Sequence, residues 1–429
     1  CTPSRYAMLT GRHHWRDFHG IVKALGSSVF KDEQLTLPEM LQAKGYHTAC
    51  IGKWHLGWDW MALRRDGAEP QHRGQGKRKW KVWTHDAFDW SQPVPDGPLA
   101  HGFDHYFGDS VINFPPYCWI EDDRILTAPD STFLPGQHKA TTKEGHWEAR
   151  PGPAMADWDF YAVLPTLADK GVAYLESRKD SDRPFFLYFP FPSPHAPIIP
   201  NDEFDGSSKA GAYGDFVHQT DHICGRLLDA LERSGKADET IVIFTADNGA
   251  DHYAYGRDEK HQHWSSAPLR GLKRDIYEGG HRVPFLVRWP GTIEPGRVSD
   301  ALISQVDLMA TLAAAIGSPI PDGQARDSID FLPHWKDDDS PGPRPTHVHN
   351  TYPNRYAIRH HDWLLVDHPS GYMSARNPEW EKRHDYPADD EGRDELYNLG
   401  QDLGQRPNLA EKHPEKLEDH PALHAWERQ

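Results

Sequence analysis

Short apolar runs alternate with longer amphipathic segments along this chain, and this alternation constrains its fold more than any other feature. The run Thr240–Thr245 (TIVIFT) is β-branched and apolar on both faces, which is typical of a strand in a covered parallel sheet. Further strands are expected at Thr48–Ile51 and Pro184–Phe191, and helices at Leu35–Lys44, Ala162–Arg178, Gly214–Ser234 and Asp300–Ile316. The pattern predicts an α/β fold with helices on both faces of a sheet.

A charged, proline-rich stretch, Lys336–Pro345 (KDDDSPGPRP), divides the chain. Its composition favours a linker or an exposed loop. Short strand-like pieces follow at Arg355–Arg359 and Trp363–Asp367, and then a polar, helix-poor tail. We therefore expect a large domain over residues 1–335, a linker over 336–345 and a smaller C-terminal subdomain over 346–429.

Charge and hydropathy exclude two classes of protein. The formal net charge of −17 argues against a general nucleic-acid binder, which needs a basic surface. No apolar run approaches the ~20 residues that a membrane helix requires, so no membrane span is expected. The four cysteines lack CxxC spacing, which predicts neither a disulfide framework nor a zinc site. Cys50 and Cys224 are expected to be buried free thiols.

A basic, aromatic segment lies at Arg64–Trp90, where seven Arg and Lys residues are interleaved with Trp80 and Trp83. One interpretation is a loop that grips an anionic polymer by charge and stacking. The alternative is a solvated insertion, which charge runs more often are.

The first twelve residues, CTPSRYAMLTGR, carry the strongest chemical signal. Pro3 and Ser4 suit the first turn of a helix, which puts Cys1 at a helix N-terminus where backbone N–H groups favour an anion. Arg5 lies four residues on, on the same helical face. A nucleophile, a helix N-terminus and a guanidinium are thus expected to converge, as in a site for a tetrahedral oxyanion.

This segment resembles the signature of the type I, formylglycine-dependent sulfatases, which are arylsulfatase-like members of the alkaline phosphatase superfamily. The resemblance implies that Cys1 is oxidised to formylglycine (3-oxoalanine) by a formylglycine-generating enzyme. It also implies an alkaline-phosphatase-like sandwich: a large mixed sheet flanked by helices, plus a C-terminal subdomain with an antiparallel sheet.

Later segments resemble the other blocks of the family in the same order. Gly52–Gly57 (GKWHLG) supplies Lys53 and His55 after a predicted strand, where α/β active sites lie. By resemblance, His195 in SPHAP and Lys273 in LRGLKRDIYEGGHRVP contact the sulfate. The blocks GFDHYFG and ELYNLGQDLGQRPN also match, and we interpret the first as structural. Arg270 and Arg274, beside Lys273, are likewise expected to be structural.

Asp247 and Asn248 follow the TIVIFT strand in TADNGAD and match the family's metal pair. Such oxygen ligands suit Ca²⁺, with Mg²⁺ the less favoured ion, and Cys1 is expected to be a further ligand once modified. The family also has an Asp-Asp pair on a strand upstream of the signature cysteine. Because Cys1 opens this sequence, we expect a fragment that lacks this strand, its metal ligands and any targeting segment.

The implied reaction is hydrolysis of a sulfate ester. One hydroxyl of the hydrated formylglycine attacks sulfur. Lys53, Lys273 and His195 bind the sulfate oxygens, and Arg5 lowers the free-energy cost of the negative charge on the attacking oxygen. His195 or Lys273 protonates the leaving alcohol, and His55 takes a proton from the second hydroxyl, which expels sulfate.

Several alternatives stay open at this point. A phosphonate or phosphodiester hydrolase of the same superfamily, and an inactive homologue that binds sulfated glycans, are the rival functions. A sulfated carbohydrate is the favoured substrate, ahead of a small aryl sulfate, because residues near the motifs could stack on sugar rings: Trp58, Trp60, His252, His263 and Trp264. The resemblance implies a periplasmic or extracellular location.

Overall fold

The computed structural model describes residues 1–73, 80–135, 142–337, 340, 342–368, 370–386 and 394–419. The α-helices of these residues, α1 to α10, are Thr2–Thr10, Leu37–Ala43, Val163–Glu176, Gly211–Arg233, Ala254–His261, Glu278–His281, Leu308–Ala315, Leu332–Lys336, Pro378–Arg383 and Pro414–Asp419. Their strands, β1 to β15, are His47–Ile51, Gln71–Arg73, Trp80–Val82, His105–Gly108, Ile120–Glu121, Arg124–Ile125, Ser131–Phe133, Gly152–Ala154, Phe185–Tyr188, Val242–Thr245, Phe285–Arg288, Thr346–Thr351, Arg355–His360, Trp363–Asp367 and Glu395–Asn398.

The central sheet is mixed, with the strand order β6-β5-β4-β1-β9. Strand β1 runs parallel to both of its neighbours, so that Cys50 lies opposite Tyr106 of β4 and Tyr188 of β9. Strands β5 and β6 extend the sheet antiparallel to β4. The parallel centre brings the carboxyl ends of β1 and β9 to one edge of the sheet.

Helices cover both faces of this sheet. Ala49 and Ile51 point into a core shared with Leu167 of α3 and Phe216 of α4. Cys50, between them, points into the opposite core, which Tyr6 of α1 and residues of α2 complete. This alternation along β1 is the period of two expected for a strand buried on both sides. The α/β sandwich predicted from the sequence is therefore confirmed.

The environment predicted for the TIVIFT strand is wrong. Val242–Thr245 pairs antiparallel with Phe285–Arg288 and forms a two-stranded sheet separate from the five-stranded one. Phe244 is 44% exposed and Leu286 is 59% exposed. The apolar run thus predicted the strand correctly. Which strand pairs with it depends on contacts with distant residues, and the run itself carries no information about these contacts.

The C-terminal subdomain contains the predicted antiparallel sheet, with the order β12-β13-β14-β15. The two predicted strands are present, and Thr346–Thr351 and Glu395–Asn398 add one strand on each side. The helix predicted at Asp300–Ile316 begins later: a 3-10 turn at Gln305–Asp307 leads into Leu308–Ala315. The boundary at 336–345 stays a prediction, although Arg344 inside it is buried against Asp307.

Cys50 and Cys118 are buried free thiols, whereas Cys224 is only half-buried. Among the described residues, the helices lack the combination of length and apolar composition that a membrane crossing needs.

Candidate active site

Cys1 is the N-cap of helix α1, with proline in the first turn, as the sequence predicted. Its Sγ lies 3.4 Å from Lys53 Nζ and 3.5 Å from Lys273 Nζ. Two ammonium groups and a helix N-terminus therefore surround one side chain. This arrangement favours negative charge at residue 1.

Arg5 is buried, at 5% exposure, and binds Asp247. Its Nε and Nη2 donate to Asp247 Oδ2 at 3.1 and 2.8 Å, and its Nη1 donates to the carbonyl oxygen of Lys53 at 2.7 Å. The guanidinium reaches the predicted site but is held by protein acceptors. Its role is to neutralise Asp247 and to fix the loop that carries Lys53.

Lys53 and His55 follow strand β1 and reach the same region. Lys53 is 1% exposed, and burial, reinforced by Arg5 and Lys273, lowers its pKa to about 7. His55 has φ of 55°, and its Nε2 lies 3.0 Å from the carbonyl oxygen of Val22. Because a carbonyl only accepts, Nε2 carries the proton and Nδ1 holds a lone pair. Within the described chain this buried Nδ1 has no hydrogen-bond partner.

His195 and Lys273 approach from two other loops. His195 Nδ1 lies 2.6 Å from the carbonyl oxygen of Ala196, so Nδ1 is the protonated nitrogen and Nε2 the free one. Burial, followed by the charges of Lys53 and Lys273, holds the pKa of His195 well below its usual value. Burial also lowers the pKa of Lys273, whose backbone N–H donates to the carbonyl of Ala250 at 2.6 Å.

Asp247 and Asn248 follow strand β10, as predicted, and lie beside Cys1. Asn248 Oδ1 accepts a hydrogen bond from the Cys1 nitrogen at 3.0 Å and lies 3.8 Å from Sγ. Burial would raise the pKa of Asp247, but the positive charges of Arg5, Lys53 and Lys273 hold it well below its usual value.

The chemistry of this pair suits a hard cation, but the ligand set is incomplete. Calcium takes 6–8 oxygen ligands. The described residues contain no group of three or more His, Cys, Asp or Glu side chains arranged to hold a metal ion. Asp247 and Asn248 therefore supply two oxygens of the right kind and fall short of a full coordination sphere.

A cleft of about 1400 Å³ opens in front of these residues. Its lining includes six of the predicted site residues: Cys1, His55, His195, Asp247, Asn248 and Lys273. Lys53 and Arg5 lie beneath it. The structure thus brings together every predicted site residue, from positions that are far apart in the sequence.

The residues proposed for sugar stacking do not line this cleft. Trp58 and Trp60 are 1% and 2% exposed and belong to the hydrophobic core. Trp264 packs on Trp380 with ring centroids 4.1 Å apart. The stacking prediction is therefore wrong for these side chains, because nearness to a motif in sequence does not determine which way a ring points. His252 and His263 are also absent from the lining.

The described residues of the basic segment Arg64–Trp90 are also absent from the cleft lining. Strands β2 and β3 form a hairpin there, and Trp83 packs on Phe88 with ring centroids 5.5 Å apart. Lys77, Arg78 and Lys79 lie outside the described residues.

Arg270 has the structural role that the sequence analysis expected. It is 2% exposed, stacks over Tyr277 at 4.0 Å from the ring centroid, and donates to Tyr372 Oη and Tyr397 Oη at 3.0 and 2.9 Å. Tyr372 and Tyr397 belong to the C-terminal subdomain. The subdomain therefore clamps the loop that carries Lys273.

Two further residues belong to the surroundings of the site and were not predicted from the sequence. Thr2 Oγ1 donates to the carbonyl oxygen of His55 at 2.9 Å and so ties the start of α1 to the His55 loop. Asp109 is 1% exposed, and neither carboxylate oxygen has a hydrogen-bond partner among the described residues. Burial raises its pKa to about 7, against the pull of the Lys53 charge. Thr2 stands within the signature, whereas nothing local marks Asp109.

Comparisons with known proteins show which family the chain belongs to. A sulfatase family profile matches residues 1–318, and a profile of the N-sulphoglucosamine sulphohydrolase C-terminal region matches residues 272–368. An N-acetylgalactosamine-6-O-sulfatase of Bacteroides thetaiotaomicron is 27% identical over 97% of this chain and 82% of its own length. The N-acetylgalactosamine-6-sulfatase of Canis lupus familiaris is 31% identical over 78% of this chain. The chain spans only 56% of that mammalian relative.

Solved structures show the same architecture. A Bacteroides thetaiotaomicron protein, described under the metabolism of multiple glycosaminoglycans, superimposes with a TM-score of 0.76 and 26% identity, covering 97% of this chain and 87% of that one. A sulfatase from Pseudoalteromonas sp. shares the fold at a TM-score of 0.66 and 21% identity, covering 98% and 81%. With the profile match across most of its length, this chain belongs to the sulfatase family.

Proposed function

We propose that this sulfatase hydrolyses a sulfate ester on a carbohydrate, with residue 1 as the nucleophile after conversion of Cys1 to formylglycine by a formylglycine-generating enzyme. One observation carries the proposal: Cys1 Sγ lies between the ammonium groups of Lys53 and Lys273, at 3.4 and 3.5 Å, in an open cleft. The modified residue, when present, supplies a hydroxyl that attacks sulfur.

Lys53 and Lys273 hold the charge of the sulfate group. Both are largely buried, where a positive charge acts more strongly on an anion than it does in water. Arg5 neutralises Asp247 from beneath and keeps the Lys53 loop in place. The Nδ1–H of His195 is committed to Ala196, and its neutral Nε2 has no proton to donate. His195 therefore binds a sulfate oxygen only after Nε2 takes up a proton, which a bound anion favours by raising the pKa of the ring.

The two histidine environments suggest different proton roles. His55 presents an unpaired Nδ1 and stays neutral, since burial and Lys53 hold its pKa well below the usual value. A neutral, oriented imidazole suits the base that removes a proton from residue 1 when sulfate leaves. Lys273, whose Nζ lies 3.5 Å from Cys1 Sγ, is placed to donate a proton to the leaving alcohol, with His195 as the alternative.

We also propose Ca²⁺, rather than Mg²⁺, as the cation. Calcium tolerates irregular sets of oxygen ligands, whereas Mg²⁺ demands an octahedron. Asp247 and Asn248 would hold the ion next to residue 1. There it would lower the free-energy cost of negative charge on the attacking oxygen.

A carbohydrate substrate is supported by the relatives. The bacterial relative is named for N-acetylgalactosamine 6-O-sulfate and the solved structure for glycosaminoglycan metabolism. A cleft of about 1400 Å³ has room for more than one sugar ring. A periplasmic or extracellular location would suit such a substrate.

Two experiments test the proposal. Mass spectrometry of the peptide containing residue 1 should show the aldehyde, and an intact thiol would favour the inactive, glycan-binding alternative. Turnover of an aryl sulfate should exceed that of an aryl phosphate diester, and the reverse would favour the phosphodiester hydrolase. Cys1→Ala should abolish turnover with the fold intact, and Cys1→Ser should be nearly as poor because serine lacks the second hydroxyl.

A further inference from the structure

Five arginines line the cleft, and they differ in whether other groups of the protein already bind their guanidinium groups. Arg282 and Arg359 both lie against Glu278, with N–O distances of 3.3 and 3.8 Å. Arg297 donates to the carbonyls of Trp335 and His334. Arg150 and Arg274 are exposed, and among the described residues their guanidinium groups have no hydrogen-bond or ion-pair partner.

The backbones of these two residues are nevertheless fixed. The N–H of Arg150 donates to the carbonyl of Asn113 at 2.9 Å, and its carbonyl accepts from Tyr117 Oη at 2.7 Å. The carbonyl of Arg274 accepts from Thr351 Oγ1 at 2.5 Å. The Cα positions of both residues are therefore fixed at the cleft, so that ligand binding has to order only the side chains.

Arg274 is also held in a conformation that non-glycine residues rarely adopt, with φ of 82°. The flanking residues maintain it. Lys273 N–H donates to Ala250, and the carboxylate of Asp275 accepts from Leu272, Met373 and Ser374. Strain of this kind persists where the surroundings over-determine it, often at ligand sites.

The segments that carry the two arginines meet on the same loop, Ala250–Tyr253. Tyr253 Oη accepts from His146 N–H at 3.1 Å and donates to Glu148 Oε1 at 2.7 Å, two residues before Arg150. Lys273 N–H donates to Ala250 at 2.6 Å, one residue before Arg274. Glu148 is thus bonded to Tyr253, and no contact pairs it with either arginine among the described residues.

We propose that Arg150 and Arg274 form a subsite for a second anionic group of the substrate, borne by a sugar next to the one that carries the scissile sulfate. Planar guanidinium groups bind carboxylate and sulfate oxygens in pairs. Although the chain carries a net charge of −17, two unpaired arginines in the cleft that contains Cys1 would attract an anion there. The ligand class is a polyanionic glycan, whose second charge is a uronate carboxylate or another sulfate ester. This inference rests on the proposed function for the position of the scissile sulfate.

The test is calorimetric binding to the Cys1→Ala variant of the 429-residue chain, which cannot turn the ligand over. Three disaccharides share one sulfated hexosamine and differ in its neighbour: a hexuronate, a second sulfated sugar, or a neutral hexose. We expect at least one anionic disaccharide to bind about tenfold more tightly than the neutral one at low salt. Tighter binding of the uronate alone identifies the carboxylate as the ligand, and tighter binding of the disulfated sugar alone identifies the sulfate.

Adding Arg150→Gln and Arg274→Gln should bring the three dissociation constants within about twofold of one another. Arg226→Gln on helix α4 removes the same charge outside the cleft and should preserve the preference. In the parent protein, rising ionic strength should weaken the preference, a readout that needs no arginine variant. Equal affinity for all three disaccharides, or a preference that survives both substitutions, would overturn the subsite. Failure of the unmutated protein to hydrolyse any aryl sulfate would instead count against the proposed function.

Discussion

Arg5 Nε and Nη2 both donate to one oxygen, Oδ2, of Asp247, at 3.1 and 2.8 Å. This contact joins the first turn of helix α1 to the end of strand β10. It keeps a carboxylate charged beside Cys1 while most of the guanidinium is withdrawn from solvent. The pair therefore links stability to the geometry of the site.

Replacing Arg5 by Met should destabilise the protein by about 2–4 kcal/mol, because it leaves the Asp247 carboxylate partly buried and without its cation. Urea denaturation measures this loss. The double variant Arg5→Met/Asp247→Asn should recover part of it, since the uncompensated charge is then gone. If the stability lost in the double variant equals the sum of the losses in Arg5→Met and Asp247→Asn alone, the two residues are not energetically coupled.

Lys53 should impose an alkaline limit on activity. Its pKa is about 7, and only the ammonium form attracts sulfate, so kcat/KM should fall as pH rises above about 7. The Lys53→Arg variant keeps its charge at these pH values and should move the limit above pH 9, even if its overall rate is lower. A limit that stays near pH 7 in this variant would assign it to another group.

Lys273→Ala and His195→Ala should each lower kcat by about 10²-fold or more, the scale of losing one oxyanion donor. Steady-state kinetics on an aryl sulfate measures the effect, with the exposed Lys209→Ala as a control for loss of charge. If both variants changed only KM, and modestly, the transition state would not use these side chains.

Calcium should bind the 429-residue chain weakly, with a dissociation constant on the order of millimolar. Asp247 and Asn248 are the side chains beside Cys1 that we propose as oxygen ligands for the ion, and Arg5 already neutralises part of the Asp247 charge. Calorimetric titration measures the affinity, and Asp247→Asn should remove it. Micromolar binding that survives this substitution would mean that other residues hold the ion.

The sequence alone predicted which chemical groups lie near residue 1 in the fold. The signature at Cys1 and the blocks containing Lys53, His195, Asp247 and Lys273 each follow or begin a regular element. Lys53 and His195 follow the parallel strands β1 and β9, whose carboxyl ends lie at one edge of the central sheet. Asp247 follows a strand of a separate antiparallel pair and Lys273 lies on a loop, yet the fold brings both to Cys1, from as far as 272 positions away in the sequence.

Only the tertiary structure decided how those groups are oriented and which others join them. The carbonyls of Val22 and Ala196 set which nitrogen of His55 and of His195 is protonated, and both contacts depend on loop packing. Trp58 and Trp60 look like sugar platforms in the sequence but are part of the core. Arg274 looks structural beside Arg270, yet it is exposed at the cleft and its guanidinium has no partner among the described residues. Periodicity and motif spacing report local geometry, whereas burial, tautomer and pairing depend on distant parts of the chain, which only the folded structure brings into contact.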